Sequence, residues 1–229
     1  MGIKQRHERD REAVRRAILD AARDLFVTEG YQNVSLRKIA ERIEYSPAAI
    51  YGYFASKDDI FLALAEEGFR LLGDPQRAEA ADARRPPSPL DRLRGIFWHF
   101  YEFSRQHPQY FLLMFVDHSV PRICREYERF AFAREIKGRC VAEIQACVEE
   151  QLLPDTVEPY VVLRLMMMGL VGVAMMRLSD RLGASENADH LAEDMLNVIL
   201  AGLRSGVAIK STGTLGHAPH ETGEALQAS

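Results

Sequence analysis

The sequence lacks the features that mark secreted and metal-binding chains. Only three cysteines occur among its 229 residues, Cys124, Cys140 and Cys147, and no two are spaced as C-x-x-C. A disulfide framework or a zinc site needs more cysteines at shorter spacings. We therefore expect reduced thiols, with Cys140 and Cys147 buried on one face of a helix as small apolar side chains.

Residue patterns of common active sites are also missing. The chain has no H-x-x-x-H pair, no G-x-S-x-G sequence and no glycine-rich phosphate loop. Its seven histidines are scattered along the sequence. We expect a protein that is not an enzyme and that uses neither a metal nor another cofactor.

Long hydrophobic runs are absent as well. The first residues, MGIKQRHERDRE, contain no apolar stretch and therefore predict no signal peptide. The longest uncharged apolar run covers residues 165–176, whereas a helix that crosses a bilayer needs about 20 residues. We expect a cytoplasmic protein without a membrane contact, in which this run lies in a buried helix or in a seam between two chains.

Charge is spread unevenly over the sequence. The whole chain has a net charge of −4, but residues 1–57 contain 11 Lys and Arg against 8 Asp and Glu. A mildly basic head on an acidic body predicts that only the head meets an anionic partner.

Helical periodicity dominates the pattern of apolar residues. Spacings of three and four recur from Val14 to Phe26 and again from Leu191 to Leu203, while strand-like alternation is scarce. The pattern predicts an all-α fold with about nine helices. A stretch rich in Ala, Arg, Pro and Asp, residues 73–90, indicates a boundary. We predict a smaller helical head domain over 1–73, a larger helical domain over 74–204 and a mobile tail over 205–229.

Two short helices in the head have helix-turn-helix spacing. The first helix covers residues 36–43 and the second covers residues 47–53. Ser35 and Ser46 are in capping positions, and Pro47 occupies the first turn of the second helix. Ile50 and Phe54 can fill the buried face of that helix, which leaves a face of small and polar groups for base edges. From spacing alone, buried aromatic residues near a turn remain an alternative.

The stretch SLRKIAERIEYSPAAIYGYFASKDDI, residues 35–60, resembles the signature of the tetracycline-repressor (TetR) family of bacterial transcription regulators. Upstream, AARDLFVTEGYQNVS, residues 21–35, resembles the family's first helix and the loop after it. The likeness covers about residues 12–70. It rests on Phe26, Gly30, Tyr31, Ser35, Ile39, Ala40, Ser46, Ile50, Tyr51, Phe54, Lys57 and Ile60. Three positions depart from the family pattern: Glu44 stands where a glycine is usual, Ala48 where a glycine is common, and Tyr53 where a histidine is usual.

The resemblance implies a duplex DNA operator as partner and assigns roles to ten residues of the head. Side chains at the start of the second helix would approach phosphates, those at the start of the third would face the major groove, and the aromatic and lysine positions after it would hold the backbone. The implied DNA-binding residues are Ser35, Arg37, Lys38, Ser46, Pro47, Ala48, Ala49, Tyr51, Tyr53 and Lys57. Arg37 could read a guanine or be a solvated helix-face residue.

The N-terminus carries four more cations. Lys4, Arg6, Arg9 and Arg11 could touch DNA, but we expect a disordered basic tail there.

The last two helices carry apolar stripes that one chain would not cover. Small residues permit close helix approach and methionines fill irregular gaps, so two such helices from each of two chains could form a four-helix bundle. The expected homodimer interface comprises Met168, Gly169, Gly172, Met176, Met195 and Ile199. An intrachain core is the alternative.

Aromatic and methionine side chains crowd residues 97–115 and could line a cavity for a small effector. An apolar, aromatic or acyl compound would suit such a lining, although the same residues are also typical of plain core. The expected ligand-binding residues are Phe97, Trp98, Tyr101, Met114, Phe115 and His118.

The sequence therefore predicts a ligand-responsive transcriptional regulator, with repression as the expected mode and a small apolar effector that releases a palindromic operator. The alternative is a helical adaptor that has lost specific DNA binding, with Glu44 as the residue that would interfere.

Overall fold

The computed structural model describes residues 3–73, 87–121 and 131–211. Nine α-helices and one short 3-10 turn, Tyr31–Asn33, make up the regular structure of these three stretches, which contain no strand. The helices are α1 (Ile3–Glu29), α2 (Leu36–Arg42), α3 (Pro47–Tyr51), α4 (Lys57–Gly73), α5 (Pro89–Gln106), α6 (Pro108–Phe115), α7 (Ala131–Glu149), α8 (Pro159–Leu178) and α9 (Ala188–Arg204). The prediction of an all-α fold with about nine helices is confirmed.

The head is built from α1 to α4 around one apolar core. Ile18 and Phe26 of α1 lie in it with Ile39 of α2, Ile50 of α3 and Ile60 of α4, all almost fully buried. Helices α2 and α3, with seven and five residues, are too short to be stable alone, so the shared core is what holds them in place. The predicted burial of Ile50 and Phe54 is confirmed.

The first helix begins earlier than expected. Residues 4–11 were predicted as a disordered tail, but α1 starts at Ile3 and continues without a break to Glu29. Extending an existing helix costs far less free energy than starting one, so the packed part of α1 can carry the polar turns before it. That prediction was wrong.

The body surrounds α5, which packs against α7, α8 and α9. Ser88 opens α5 with a capping box: its hydroxyl accepts a hydrogen bond from the Asp91 amide, and the Asp91 carboxylate accepts one from the Ser88 amide. Cys140 and Cys147 are buried as predicted, and burial raises the pKa of each thiol to about 11. Cys124 lies outside the described residues.

A polar junction joins the head to the body. Arg16 donates to Glu67 at 2.6 Å, and Arg23 donates to the Gln109 side chain at 2.8 Å. Both guanidinium groups also contact the Tyr110 hydroxyl, at 3.4 and 3.3 Å. Helix α6 is thus fixed to the middle of α1 by directional contacts.

Helix α8 is longer than the uncharged run from which it was predicted. It has 20 residues and is long and apolar enough to cross a membrane by length and composition alone, with 33% of its most apolar window buried. The run of twelve residues therefore underestimated the length of the apolar helix, and the absence of a membrane contact stays a prediction. A core helix that packs on several neighbours passes the same test, and α8 packs on α5, α7 and α9.

Three helices end on a residue with a positive φ that is not glycine. These are Glu44 at φ 59°, Gln151 at φ 58° and Asp180 at φ 53°. At the end of α2, the Glu44 amide donates to the Glu41 carbonyl at 3.3 Å and the Tyr45 amide to the Ala40 carbonyl at 2.9 Å. This pair of bonds is the Schellman motif, whose left-handed position is usually glycine.

The domain limits stay predictions. Helix α4 ends at Gly73, where the first boundary was placed, and residues 74–86 are outside the described stretches. Of the predicted tail, residues 205–211 alone are described.

Candidate nucleic-acid interface

Helices α2 and α3 begin as the sequence predicts. The Ser35 hydroxyl accepts a hydrogen bond from the Lys38 amide, and the Ser46 hydroxyl accepts one from the Ala49 amide, each at 3.2 Å. Pro47 occupies the first turn of α3, where its missing N–H costs nothing. Both caps are confirmed, and they fix where each short helix begins.

One face of α3 is open to solvent. Ser46, Pro47 and Ala48 are exposed, Ala49 is half-buried and the Tyr51 side chain is 60% exposed. Ile50 and Phe54 fill the opposite side, as predicted. The structure therefore brings the expected groove-facing residues together on one small, uncharged surface that can approach base edges closely.

The cations at the start of α2 already have intramolecular partners. Arg37 donates to Glu41 at 2.8 Å while its side chain stays 79% exposed. The Lys38 ammonium contacts the Glu29 carboxylate. Exposed pairs of this kind contribute little to stability, so a phosphate could replace the carboxylate at small cost.

Lys57 is held more firmly than the sequence suggested. It is half-buried, donates to the Tyr31 carbonyl at 2.8 Å, and its Nζ lies 4.1 Å from the centroid of the Tyr31 ring. The Tyr31 hydroxyl donates to Asp58. Burial and that carboxylate raise the pKa of the phenol well above its ordinary value. Lys57 therefore sits on the junction of α1 and α4, and its phosphate contact stays a prediction.

Sequence reasoning missed the supporting role of Tyr31. This residue is 3% exposed and its ring also packs against Phe26 and Phe61, with centroid distances of 5.0 and 5.8 Å. Its position after Gly30 was noted as part of the family likeness, but its partners Lys57 and Asp58 are more than 25 positions further along the chain. No local pattern points to such a contact.

Tyr53 lies just after α3, where its amide donates to the Ile50 carbonyl at 2.9 Å. Its side chain is half-buried, and the Arg11 guanidinium carbon lies 6.0 Å from its ring centroid. Arg15 makes a similar contact with Phe54 at 5.3 Å. The first helix therefore reaches the residues that follow α3.

The expected dimer residues fall into two groups. Met168, Gly172 and Met176 are exposed on α8, with the two methionines 57% and 42% exposed. Gly169, Met195 and Ile199 lie at the seam between α8 and α9, because a Cβ on Gly169 would meet Met195 at 2.7 Å and Ile199 at 3.2 Å. Gly169 thus packs within its own chain, as in the intrachain alternative. For the exposed Met168, Gly172 and Met176, a place in a dimer interface stays a prediction.

A shallow groove of about 340 Å³ runs along α8 and α9. Its lining is mainly apolar and includes Met168, Gly172, Met176 and Met195, with Glu186 as the one acidic member. None of the six expected ligand-binding residues borders it.

The expected effector residues are spread from the core to the surface. Phe97, Tyr101 and Met114 are buried, Trp98 and Phe115 are half-buried, and His118 is exposed. Tyr101 donates to Asp189 at 2.8 Å. Burial and the Asp189 carboxylate raise the pKa of Tyr101 to about 12. These six assignments stay predictions.

The body also contains buried polar atoms without a hydrogen-bond partner. Both ring nitrogens of His99 and Nε of Arg177 are in this state, although Nη2 of Arg177 donates to the Ser104 carbonyl at 2.9 Å. Among the residues of the described stretches, no three His, Cys, Asp or Glu side chains are placed to hold a metal ion.

Two family descriptions match this chain. Residues 18–64 match "Bacterial regulatory proteins, tetR family", and residues 93–199 match "Tetracyclin repressor-like, C-terminal domain". The first range contains α2, α3 and the turn between them, and the second runs from α5 into α9.

Individual relatives agree with these matches. The HTH-type transcriptional repressor Rv1474c of Mycobacterium tuberculosis is 39% identical over 72 residues, 31% of this chain and 35% of that protein. The HTH-type transcriptional regulator AcrR of Shigella flexneri is 26% identical over 64% of this chain and 70% of its own length. The chain thus spans only about a third of the first relative.

A solved structure shares the fold. FadR from Bacillus subtilis, in complex with stearoyl-CoA, superimposes with a TM-score of 0.64 over 81% of this chain and 97% of that one, at 14% identity.

Proposed function

The chain belongs to the TetR family of bacterial regulatory proteins, and from this premise we propose that it is a DNA-binding transcriptional regulator. It acts as a repressor that leaves a palindromic operator when a small apolar effector binds. The observation that carries the proposal is the open face of α3, on which Ser46, Pro47, Ala48 and Tyr51 are exposed together.

In this proposal, α3 enters the major groove of the operator. Ser46, Ala48 and Ala49 face the groove and let the helix backbone approach the base edges, while the Tyr51 hydroxyl donates to a phosphate and helps to set the register. Arg37 and Lys38 exchange their carboxylate partners for phosphates, and Arg37 is the side chain best shaped to read a guanine. Ser35, Tyr53 and Lys57 complete the backbone contacts.

The regulator acts as a homodimer. Met168, Gly172 and Met176 form an exposed apolar surface on α8, next to the groove shared with α9. Covering that surface with the same helices of a second chain would make a four-helix bundle. Two heads could then place their α3 helices about 34–36 Å apart, one turn of DNA.

The effector binds among the central helices of the body. The aromatic and methionine side chains of α5 and α6 favour an apolar, aromatic or acyl compound, and FadR from B. subtilis, which shares the fold, was solved with stearoyl-CoA. His99 and Arg177 supply buried polar atoms that a polar end of the effector could satisfy. As a regulator of DNA the protein works in the cytoplasm, is not an enzyme and needs no membrane.

Effector binding is coupled to the heads through the junction of α1, α4 and α6. Gln109 and Tyr110 of α6 hold Arg16 and Arg23 of α1, and Arg16 also holds Glu67 of α4. An effector releases DNA only if it binds more tightly to a state in which the two heads are wrongly spaced.

The test is a selection of duplexes from a random-sequence library, followed by titration of the winner and a scrambled competitor at two salt concentrations. A regulator selects a palindromic motif, prefers it strongly over the competitor and loses affinity steeply with salt. Failure to enrich any sequence would leave the adaptor alternative.

Native mass spectrometry of the same sample reports the dimer and any small molecule that co-purifies. Met168→Glu should give monomers if the exposed surface of α8 is the seam.

A further inference from the structure

Arg11 and Tyr53 form a pair at the edge of the proposed DNA surface. The Arg11 guanidinium is exposed and lies over the half-buried Tyr53 ring, 6.0 Å from its centroid. Tyr53 follows α3 by only two residues. An arginine stacked on an aromatic ring keeps its N–H groups free in the plane of the guanidinium, where they can donate to an anion.

The cations at the starts of α2 and α4 already have partners. Arg37 is paired with Glu41, Lys38 with Glu29, and Lys57 with the Tyr31 carbonyl. Arg11 has no carboxylate partner among the residues that the structure describes. A phosphate meeting Arg11 therefore displaces no protein group.

Because α1 is one unbroken helix, its turn fixes which of its cations face this way. Arg15, one turn after Arg11, lies over Phe54, so this side of the helix follows the segment after α3. Arg6 precedes Arg11 by five residues, which places it about 140° away around the helix. Both side chains are exposed, so Arg6 offers the same charge on another face.

We propose that Arg11 and Tyr53 together bind one phosphate of the duplex, beside the base pairs that α3 reads; this inference rests on the proposed function. The guanidinium donates two N–H groups to the phosphate oxygens and the tyrosine hydroxyl donates a third bond. Arg11 lies over a tyrosine ring, which is a larger surface than that of the histidine usual in the family at this position.

The experiment measures the affinity of the full-length protein for its selected duplex between 50 and 200 mM salt. The variants are Arg11→Gln, Arg11→Lys and Tyr53→Phe, with Arg6→Gln as the charge-matched control. Each phosphate contact contributes about 0.9 to the slope of log K against log salt, so a dimer that loses one on each chain loses about 1.8. At 0.1 M salt this corresponds to a roughly 60-fold loss of affinity.

Arg11→Gln should show that loss, Arg11→Lys should keep most of the slope, and Arg6→Gln should match the wild type. Tyr53→Phe removes a neutral donor, so it should weaken binding without changing the slope. The double variant Arg11→Gln/Tyr53→Phe should lose less than the two single losses combined, because both side chains hold the same phosphate.

Equal slopes for Arg11→Gln and Arg6→Gln would overturn the inference, as would strictly additive losses. Thermal unfolding of each variant detects a purely structural role, in which stability falls and the salt slope does not. If the wild type itself selects no duplex, the proposed function fails. If it selects one and Arg11→Gln binds it equally well, only the role of Arg11 and Tyr53 fails.

Discussion

Replacing Glu44 by glycine should stabilise the protein, although it removes a side chain. Glu44 is the left-handed residue of the motif that ends α2, at φ 59°. That conformation costs a residue with a Cβ about 1–2 kcal/mol. Glycine avoids this cost but loses about 0.5–1 kcal/mol through the greater freedom of the unfolded chain. The expected net gain for Glu44→Gly is therefore about 0.5–1 kcal/mol, or about 2 °C in Tm for a chain of this size.

The assay is urea unfolding at fixed protein concentration and neutral pH, with Glu44→Ala as the matched control. Alanine removes the carboxylate but keeps the Cβ, so its stability should stay close to that of the wild type. The midpoint should rise for Glu44→Gly with an unchanged m value. Equal midpoints for the glycine and alanine variants would refute the conformational argument and point to the charge instead.

Three further predictions rest on contacts described above. Gly169→Ala should lower the free energy of unfolding by about 1 kcal/mol, because the new Cβ would lie 2.7 Å from Met195; Gly95→Ala, where a Cβ meets nothing within 4 Å, should instead gain up to about 1 kcal/mol in urea unfolding. Tyr101 keeps its proton in the folded protein to about pH 12, whereas an unfolded tyrosine loses it near pH 10. Its stabilising contribution is therefore complete below pH 10 and is lost as the pH rises towards 12. In Tyr101→Phe the unfolding free energy should fall less steeply over that interval than in the wild type. An equally steep fall in the two proteins would contradict this. Glu29→Gln should raise affinity for the selected duplex severalfold in a titration, because it removes the partner of Lys38; unchanged affinity would show that Lys38 does not approach DNA.

Features that depend on neighbours in the sequence were predictable. Ser35 and Ser46 cap their helices through amides three residues away, and the burial of Ile50 and Phe54 follows from helical spacing. Helical spacing and the family likeness together predict the open face of α3. Glu44 departs from the family pattern, and its positive φ shows why a glycine is usual at that position.

Contacts between distant segments were not predictable from the sequence. Lys57 meets Tyr31 across 26 positions and Arg11 meets Tyr53 across 42. The N-terminal turns were predicted as disordered because their composition is polar, yet they continue a helix whose later turns are buried. The effector residues were predicted mainly from aromatic and methionine content, and that property does not distinguish core from cavity lining.

The pairing of Arg37 with Glu41 and of Lys38 with Glu29 has a consequence for how the protein would search a chromosome. In the free head, the carboxylates of Glu41 and Glu29 partly cancel the charges of Arg37 and Lys38, so the start of α2 attracts arbitrary sequence less strongly than unpaired cations would. We therefore expect short dwell times on bulk DNA and fast sliding or hopping along it. The protein should then stay bound for long only at sites where the open face of α3 also fits the base edges.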